Sequence, residues 1–301
     1  MCMRTEEIRL SFQGLRVRFR VFTPDAQATR RVLMVSSPLA DADAWTELAG
    51  MLAQNGCLCV AAELPGYGAS ACGPNVVQDN DTRAQILWGI LDEVERRRGE
   101  KQCVWHLIGH GSAAAAILMM TQYQEDSVKS RVLISPVFDR FMPYPLQRLL
   151  ETSVGKTLID LWFRKKVLDR RGFATLVRRI YGGRVSKARM ETLHRSVCRR
   201  GMPDTLARLM REGYHLPEKA YHVEGPTMLI WGTNDRIFGG QLPARVRKHL
   251  PNAETHMLRA AHMSMETDAD ILNDYLRGWF LFSEGQEKWP VKKPSAPQKK
   301  R

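Results

Sequence analysis

The chain has 301 residues, 44% of them apolar, enough to bury one large core or a core with a subdomain, and it carries a net charge of +13. No apolar run is long enough to span a bilayer, and the opening Met1-Cys2-Met3-Arg4-Thr5-Glu6-Glu7 lacks the apolar stretch of a secretion signal. The six cysteines are scattered without metal-ligand spacing and read as reduced thiols of a cytoplasmic protein.

Residues 8–12 and 15–21 alternate apolar with polar side chains around Gln13-Gly14, the pattern of an antiparallel hairpin. Arg31-Val32-Leu33-Met34-Val35 is a buried strand, and Ser36-Ser37-Pro38 breaks it. Helical spacing through Trp45, Leu48, Met51 and Leu52 stops at Asn55-Gly56. Cys57-Leu58-Cys59-Val60-Ala61-Ala62 forms the next strand and runs into Glu63-Leu64-Pro65-Gly66-Tyr67-Gly68-Ala69-Ser70, where the glycines suit a tight turn. A helix follows over residues 82–97. Strands alternating with helices predict an α/β chain with a mostly parallel central sheet and helices on both faces.

The stretch around which the rest is organised is Val104-Trp105-His106-Leu107-Ile108-Gly109-His110-Gly111-Ser112-Ala113-Ala114-Ala115-Ala116-Ile117. A β-rich run ends in a turn of small residues and enters an alanine-rich helix, which resembles the elbow that presents the nucleophile in α/β-hydrolases. That elbow reads small-x-nucleophile-x-small, because its strained backbone leaves no room for large side chains two residues to either side. In one register Gly109 and Ala113 are the small residues, and Gly111 stands where the nucleophile belongs. In the other, Ser112 is the nucleophile, and the imidazole of His110 must fit a crowded turn. Glycine adopts the elbow's backbone angles without strain but offers no atom to attack a carbonyl.

The loop from Glu63 to Ser70 strengthens the resemblance. Its counterpart in α/β-hydrolases of the single-domain, helical-cap type commonly reads Asp-Leu-Pro-Gly-His-Gly-x-Ser; here Glu63 replaces the acid and Tyr67 the histidine, while Pro65, Gly66, Gly68 and Ser70 are kept. After the strand Arg131-Val132-Leu133-Ile134, strand patterning disappears until about Val223. Apolar residues recur at helical intervals, as in Leu146, Leu149, Leu150, then Leu158, Leu161, Trp162, and later Leu206, Leu209, Met210. The resemblance implies a helical cap inserted over residues 137–223, dividing the core into residues 1–136 and 224–283 and leaving residues 284–301 as a basic, disordered tail. Gly155-Lys156-Thr157 is too little of a phosphate loop to carry one: Leu150 stands where its first glycine is required.

The sheet resumes with Pro226-Thr227-Met228-Leu229-Ile230-Trp231-Gly232-Thr233-Asn234-Asp235, followed by Thr255-His256-Met257-Leu258, a turn containing His262, and a helix over residues 267–282. Carried over from the family, the triad acid falls on Asp235 and the catalytic histidine on His262, with the resemblance covering residues 8–282. One oxyanion donor would be the N–H of Ser112. The other comes from a His-Gly-x loop, which falls on Ser36-Ser37-Pro38 and puts a residue without an N–H at x, although a shift of one position restores a donor.

Charge is uneven. Residues 138–222 hold 19 Lys and Arg against 8 Asp and Glu, and residues 284–301 hold 6 against 2, so the rest is nearly neutral. A basic cap and tail could meet an anionic partner; no base-reading motif accompanies them, which argues against nucleic acid. Together these readings predict a hydrolase-family chain with an Asp-His dyad, a degenerate elbow, impaired ester hydrolysis and a small-molecule pocket under the cap, with no cofactor or metal. The alternatives are a hydrolase with Ser112, or less readily Ser36 or Ser37, as nucleophile, and a general-base enzyme of lyase or cofactor-free oxygenase type built on His262 and Asp235.

Overall fold

The computed structural model describes residues 3–12, 14–73, 75–76, 79–138, 152–212, 216–239 and 242–285. The expected hairpin is β1 (Arg4–Phe12) and β2 (Leu15–Thr23), paired antiparallel about Gly14, whose φ of +79° suits glycine. There follow β3 (Arg30–Val35), β4 (Cys57–Glu63), β5 (Trp105–His110), β6 (Val128–Ile134), β7 (Thr227–Gly232) and β8 (Glu254–Leu258). They form one eight-stranded sheet in the order β1-β2-β4-β3-β5-β6-β7-β8, parallel from β4 to β8. Every residue of β4, β5 and β7 is buried, which is why β4 up to Ala62 and β7 from Met228 to Trp231 read as unbroken apolar runs, while β5 buries His106 and His110 among its apolar residues.

Helices cover both faces: α1 (Thr46–Gln54) packs on α10 (Ala269–Ser283), and α2 (Asn80–Arg98) packs on α3 (Ala113–Tyr123). Local chemistry fixes their ends. The Asp79 carboxylate accepts from the Thr82 N–H at 2.7 Å to start α2, and Gly99, at φ +68°, stops it. The helix expected over residues 267–282 is α10, preceded by a short helix, α9 (Ser264–Thr267), and by α8 (Leu242–His249). Asp268 makes the break: its backbone leaves helical geometry at φ −143° while its carboxylate accepts from Thr267 and Arg184.

Between β6 and β7 the described residues form helices α4 (Ser153–Phe163), α5 (Arg170–Ile180), α6 (Lys187–Val197) and α7 (Met202–Glu212) and contribute no strand. Gly155, Lys156 and Thr157 lie inside α4, where no phosphate loop can form. The spacing of Leu146, Leu149 and Leu150, and the tail from residue 286 onward, lie outside the described residues. Among the described residues no helix is long and apolar enough to cross a membrane, five cysteines are free, and no cluster of His, Cys, Asp and Glu is placed to hold a metal.

What positions the site is the order of the strands. Because β3 lies between β4 and β5, growth of the sheet reverses there, and the loops leaving β3 and β5 open side by side at the carboxyl edge. Ser36, Ser37 and Pro38 therefore sit beside the elbow.

Candidate active site

The elbow is built as the spacing requires. A Cβ added to Gly109 would stand 2.7 Å from Ile117 Cγ1 and 2.9 Å from the Ala114 Cα, so the turn into α3 closes only with glycine there. Ala113 is fully buried two residues beyond the apex. Gly111 is the apex itself: φ is +57°, its N–H donates to the Ile134 carbonyl at 2.9 Å, and its own carbonyl accepts from Val137 at 3.0 Å. A Cβ on Gly111 would lie 3.9 Å from His262 Nε2. The only elbow residue aimed at that nitrogen has no side chain. Ser112 instead begins α3 in helical geometry, and its hydroxyl meets the Tyr67 hydroxyl at 3.2 Å rather than His262.

Asp235 and His262 are brought together by lacing between the ends of β7 and β8. The Thr233 N–H donates to Leu258 at 2.7 Å and the Asn234 N–H to Ala260 at 3.0 Å, and a Cβ on Gly232 would lie 2.3 Å from the Ala260 carbonyl oxygen. The two loops can approach this closely because residue 232 is glycine. His262 Nδ1 stands 2.7 Å from Asp235 Oδ2, while Asp235 Oδ1 accepts the N–H groups of Ile237 and Phe238, both at 2.9 Å. Burial alone would push the Asp235 carboxyl up; the hydrogen bond from His262, with the two backbone donors, holds it below its ordinary value. A carboxylate only accepts, so Nδ1 carries the proton and the Nε2 lone pair faces the apex.

Sequence spacing does not disclose what stands in front of that lone pair. The Ser37 side chain fills the place a residue-111 side chain would take: its Cβ lies 2.7 Å and its Oγ 3.0 Å from the position of a Gly111 Cβ. Ser37 Oγ is 2.9 Å from His110 Nδ1, and His110 Nε2 is 3.1 Å from the His262 carbonyl oxygen. That carbonyl can only accept, so His110 donates from Nε2 and receives the Ser37 hydroxyl at Nδ1. Complete burial, reinforced by neighbouring His262, drives the His110 pKa down to about 3, so its ring is neutral near pH 7. Ser36 faces elsewhere, accepting from Trp45 Nε1 at 2.6 Å and donating to the Asp41 carbonyl at 3.1 Å. Pro38 follows with no N–H to offer. The signal that could have found this arrangement is the pair read jointly: serine at position 37, where His-Gly-x has glycine, and glycine at position 111.

The departures in the β4 loop also acquire physical reasons. The carboxylate of Glu63, wholly buried, meets Arg18 Nη1 at 2.6 Å and accepts the N–H groups of Ala42 at 2.9 Å and Ala69 at 2.7 Å. Any Cβ on Gly68 would fall within 2.4 Å of it. The Tyr67 hydroxyl accepts from buried Arg83 at 2.9 Å and holds Ser112 on its other side. A small recess with a cavity volume of about 10 Å³, lined by Leu39, Tyr67, Leu193, Val197, Met202 and Leu206 among others, lies between these loops and helices α6 and α7.

The inserted helices are tied to the site through Arg189, which sequence reasoning missed. From α6 it donates twice to Asp41, both at 2.8 Å, and twice to Glu266, at 2.7 and 3.0 Å; the Tyr181 hydroxyl donates to the same Glu266 at 2.8 Å. Asp41 lies just past the Ser36–Pro38 turn, and Glu266 four residues past His262.

Residues 32–274 match the model of the alpha/beta hydrolase family. The chain is 23% identical over 234 residues to an uncharacterized hydrolase, YugF, of Bacillus subtilis (strain 168), covering 72% of this chain and 78% of that one. Among solved structures it resembles a membrane phospholipase A described as a bacterial virulence factor, with a TM-score of 0.74, 18% identity, and 93% of this chain and 87% of that chain covered. It is also similar to the epoxide hydrolase CorEH, with a TM-score of 0.70, 14% identity, and coverage of 92% and 99%. At such identities these structures speak to the fold alone. With the family model spanning most of the sequence, from β3 to α10, the chain belongs to the alpha/beta hydrolase family.

Proposed function

We propose that this chain is a pseudo-hydrolase, whose elbow no longer forms an acyl-enzyme and whose remaining machinery binds a small molecule under a helical cap, residues 137–223. One observation carries the reading: the residue whose Cβ would lie 3.9 Å from His262 Nε2 is glycine. Loss of the nucleophile from a serine hydrolase costs about a millionfold in turnover, and loss of an oxyanion donor, here through Pro38, a further hundred- to thousandfold or so. Ordinary esters are therefore turned over at a negligible rate. The recess beneath α6 and α7, at about 10 Å³, has room for no more than a water molecule, so admitting a small molecule requires these helices to move.

A second reading draws on the intact Asp235–His262 pair. A histidine anchored by a doubly braced carboxylate, with its free lone pair facing the apex, can take a proton from a bound substrate or water without a protein nucleophile. A fluorophosphonate probe tests the first reading by intact mass. No adduct is expected, whereas an adduct lost in Ser112→Ala would restore an ordinary hydrolase. A substrate screen with His262→Ala as control separates the two readings, because only the general-base enzyme has activity that this substitution removes.

A further inference from the structure

Among its described side chains, helix α4 leaves four large apolar ones exposed. Of the eight large apolar side chains most exposed among the described residues, four belong to this one eleven-residue helix: Val154 at 65%, Leu158 at 48%, Leu161 at 58% and Trp162 at 44%. At about 100° per residue, positions 154, 158, 161 and 162 fall in a single stripe about 100° wide. Isolated exposed apolar residues are ordinary on any surface; a contiguous stripe with a tryptophan is not. The charge around it is predominantly positive. Residues 153–180 hold eight Lys and Arg against two Asp, and Lys165, Lys166, Arg171, Arg178 and Arg179 are exposed just beyond the stripe.

We propose that α4 is a peripheral membrane contact, seating its apolar stripe in the boundary of an anionic lipid surface while the following basic residues pair with lipid headgroups. An amphipathic helix with Trp and Leu on one side and Lys or Arg nearby combines the two attractions such a surface offers. The other occupants fit less well. A nucleic acid would match the charge and leave the stripe in water; a second copy would cover the stripe but bring two strongly positive segments together. The placement is independent of what the elbow does.

Vesicle flotation of the full-length chain tests this. Vesicles containing phosphatidylglycerol are expected to carry the chain, and phosphatidylcholine alone is not. Leu158→Ser, Leu161→Ser and Trp162→Ser together should lower the bound fraction at least tenfold with the melting temperature unchanged. Lys165→Glu with Lys166→Glu should weaken binding comparably and remove most of its salt dependence. The proposal is overturned if phosphatidylglycerol vesicles do not carry the chain, or carry the triple-serine variant equally well. It is also overturned if removing residues 286–301 alone abolishes flotation, if sizing shows a dimer that the triple-serine variant loses, or if duplex DNA binds the intact chain more tightly than the vesicles do.

Discussion

Exchanging residues 37 and 111 offers the sharpest test of the proposed pseudo-hydrolase elbow. Gly111→Ser alone puts a Cβ 2.7 Å from Ser37 Cβ and 3.0 Å from its Oγ, at a φ of +57°. Backbone strain costs on the order of 1–3 kcal/mol and overpacking a similar amount, so the single variant should be destabilised and inert. Adding Ser37→Gly removes the obstructing atoms. The new hydroxyl, one bond beyond a Cβ that lies 3.9 Å from His262 Nε2, can then come within hydrogen-bonding reach of an imidazole already oriented by Asp235. Pro38 is common to wild type and the double variant, so any oxyanion deficit cancels in the comparison, and the expected gain in p-nitrophenyl ester turnover over wild type approaches the roughly millionfold carried by a serine nucleophile. A fluorophosphonate adduct should appear on the serine introduced at position 111, and in the double variant alone. The reasoning is refuted if the folded double variant neither labels nor turns over ester, or if Gly111→Ser works equally well with Ser37 in place.

Three further outcomes follow from the same contacts. Arg189→Met leaves the Asp41 and Glu266 carboxylates without their shared guanidinium, and urea unfolding should show a loss of about 3 kcal/mol with α6 more readily cleaved by protease; an unchanged midpoint would mean that the clamp is slack. Burial lowers the pKa of His110 to about 3 and that of His106 to about 4, so the unfolded chain binds more protons below about pH 6.5; stability should fall as pH drops from there, by up to several kcal/mol, and His110→Gln should flatten part of that limb. The Asp235 carboxyl is held below its ordinary value, so its contribution is present above about pH 4 and lost as pH falls through the lower folded value; Asp235→Asn should remove it, and an acid limb identical to wild type would argue against the charged pair.

What the sequence disclosed and what it hid divide along a physical line. The buried strands and the glycines of the elbow were readable because each is set by neighbours within a few residues, through apolar runs, close backbone approaches and backbone angles that glycine suits, and the Gly232-to-Asp235 turn was readable from its resemblance to the family's motif. The contacts that shape the apex join distant segments. Ser37 meets His110 across 73 positions, Tyr67 meets Ser112 across 45, and Arg189 reaches Asp41 across 148. No local pattern marks such pairs, and His110 looked from the sequence like nothing more than an imidazole too large for one register of the turn.

Viewed together, Ser37 and Gly111 form one packed unit in which each residue constrains the other. With Ser37 present, any side chain at 111 collides with it; with Gly111 present, removing the Ser37 side chain opens a void beside His262 and strands the Nδ1 of a fully buried histidine, a loss of about 1–3 kcal/mol. Each single change is therefore unfavourable, while the pair relieves the steric part of both, so a double-mutant cycle on stability should show favourable coupling of on the order of 1–3 kcal/mol. The Ser37 hydroxyl that abuts the apex belongs to the loop leaving β3 and not to the strand-to-helix elbow. There it bonds to a histidine kept neutral by burial instead of facing the lone pair of one oriented by a carboxylate. Packing of Ser37 against Gly111 leaves no room for a side chain at the apex, while Asp235 and His262 keep their 2.7 Å contact.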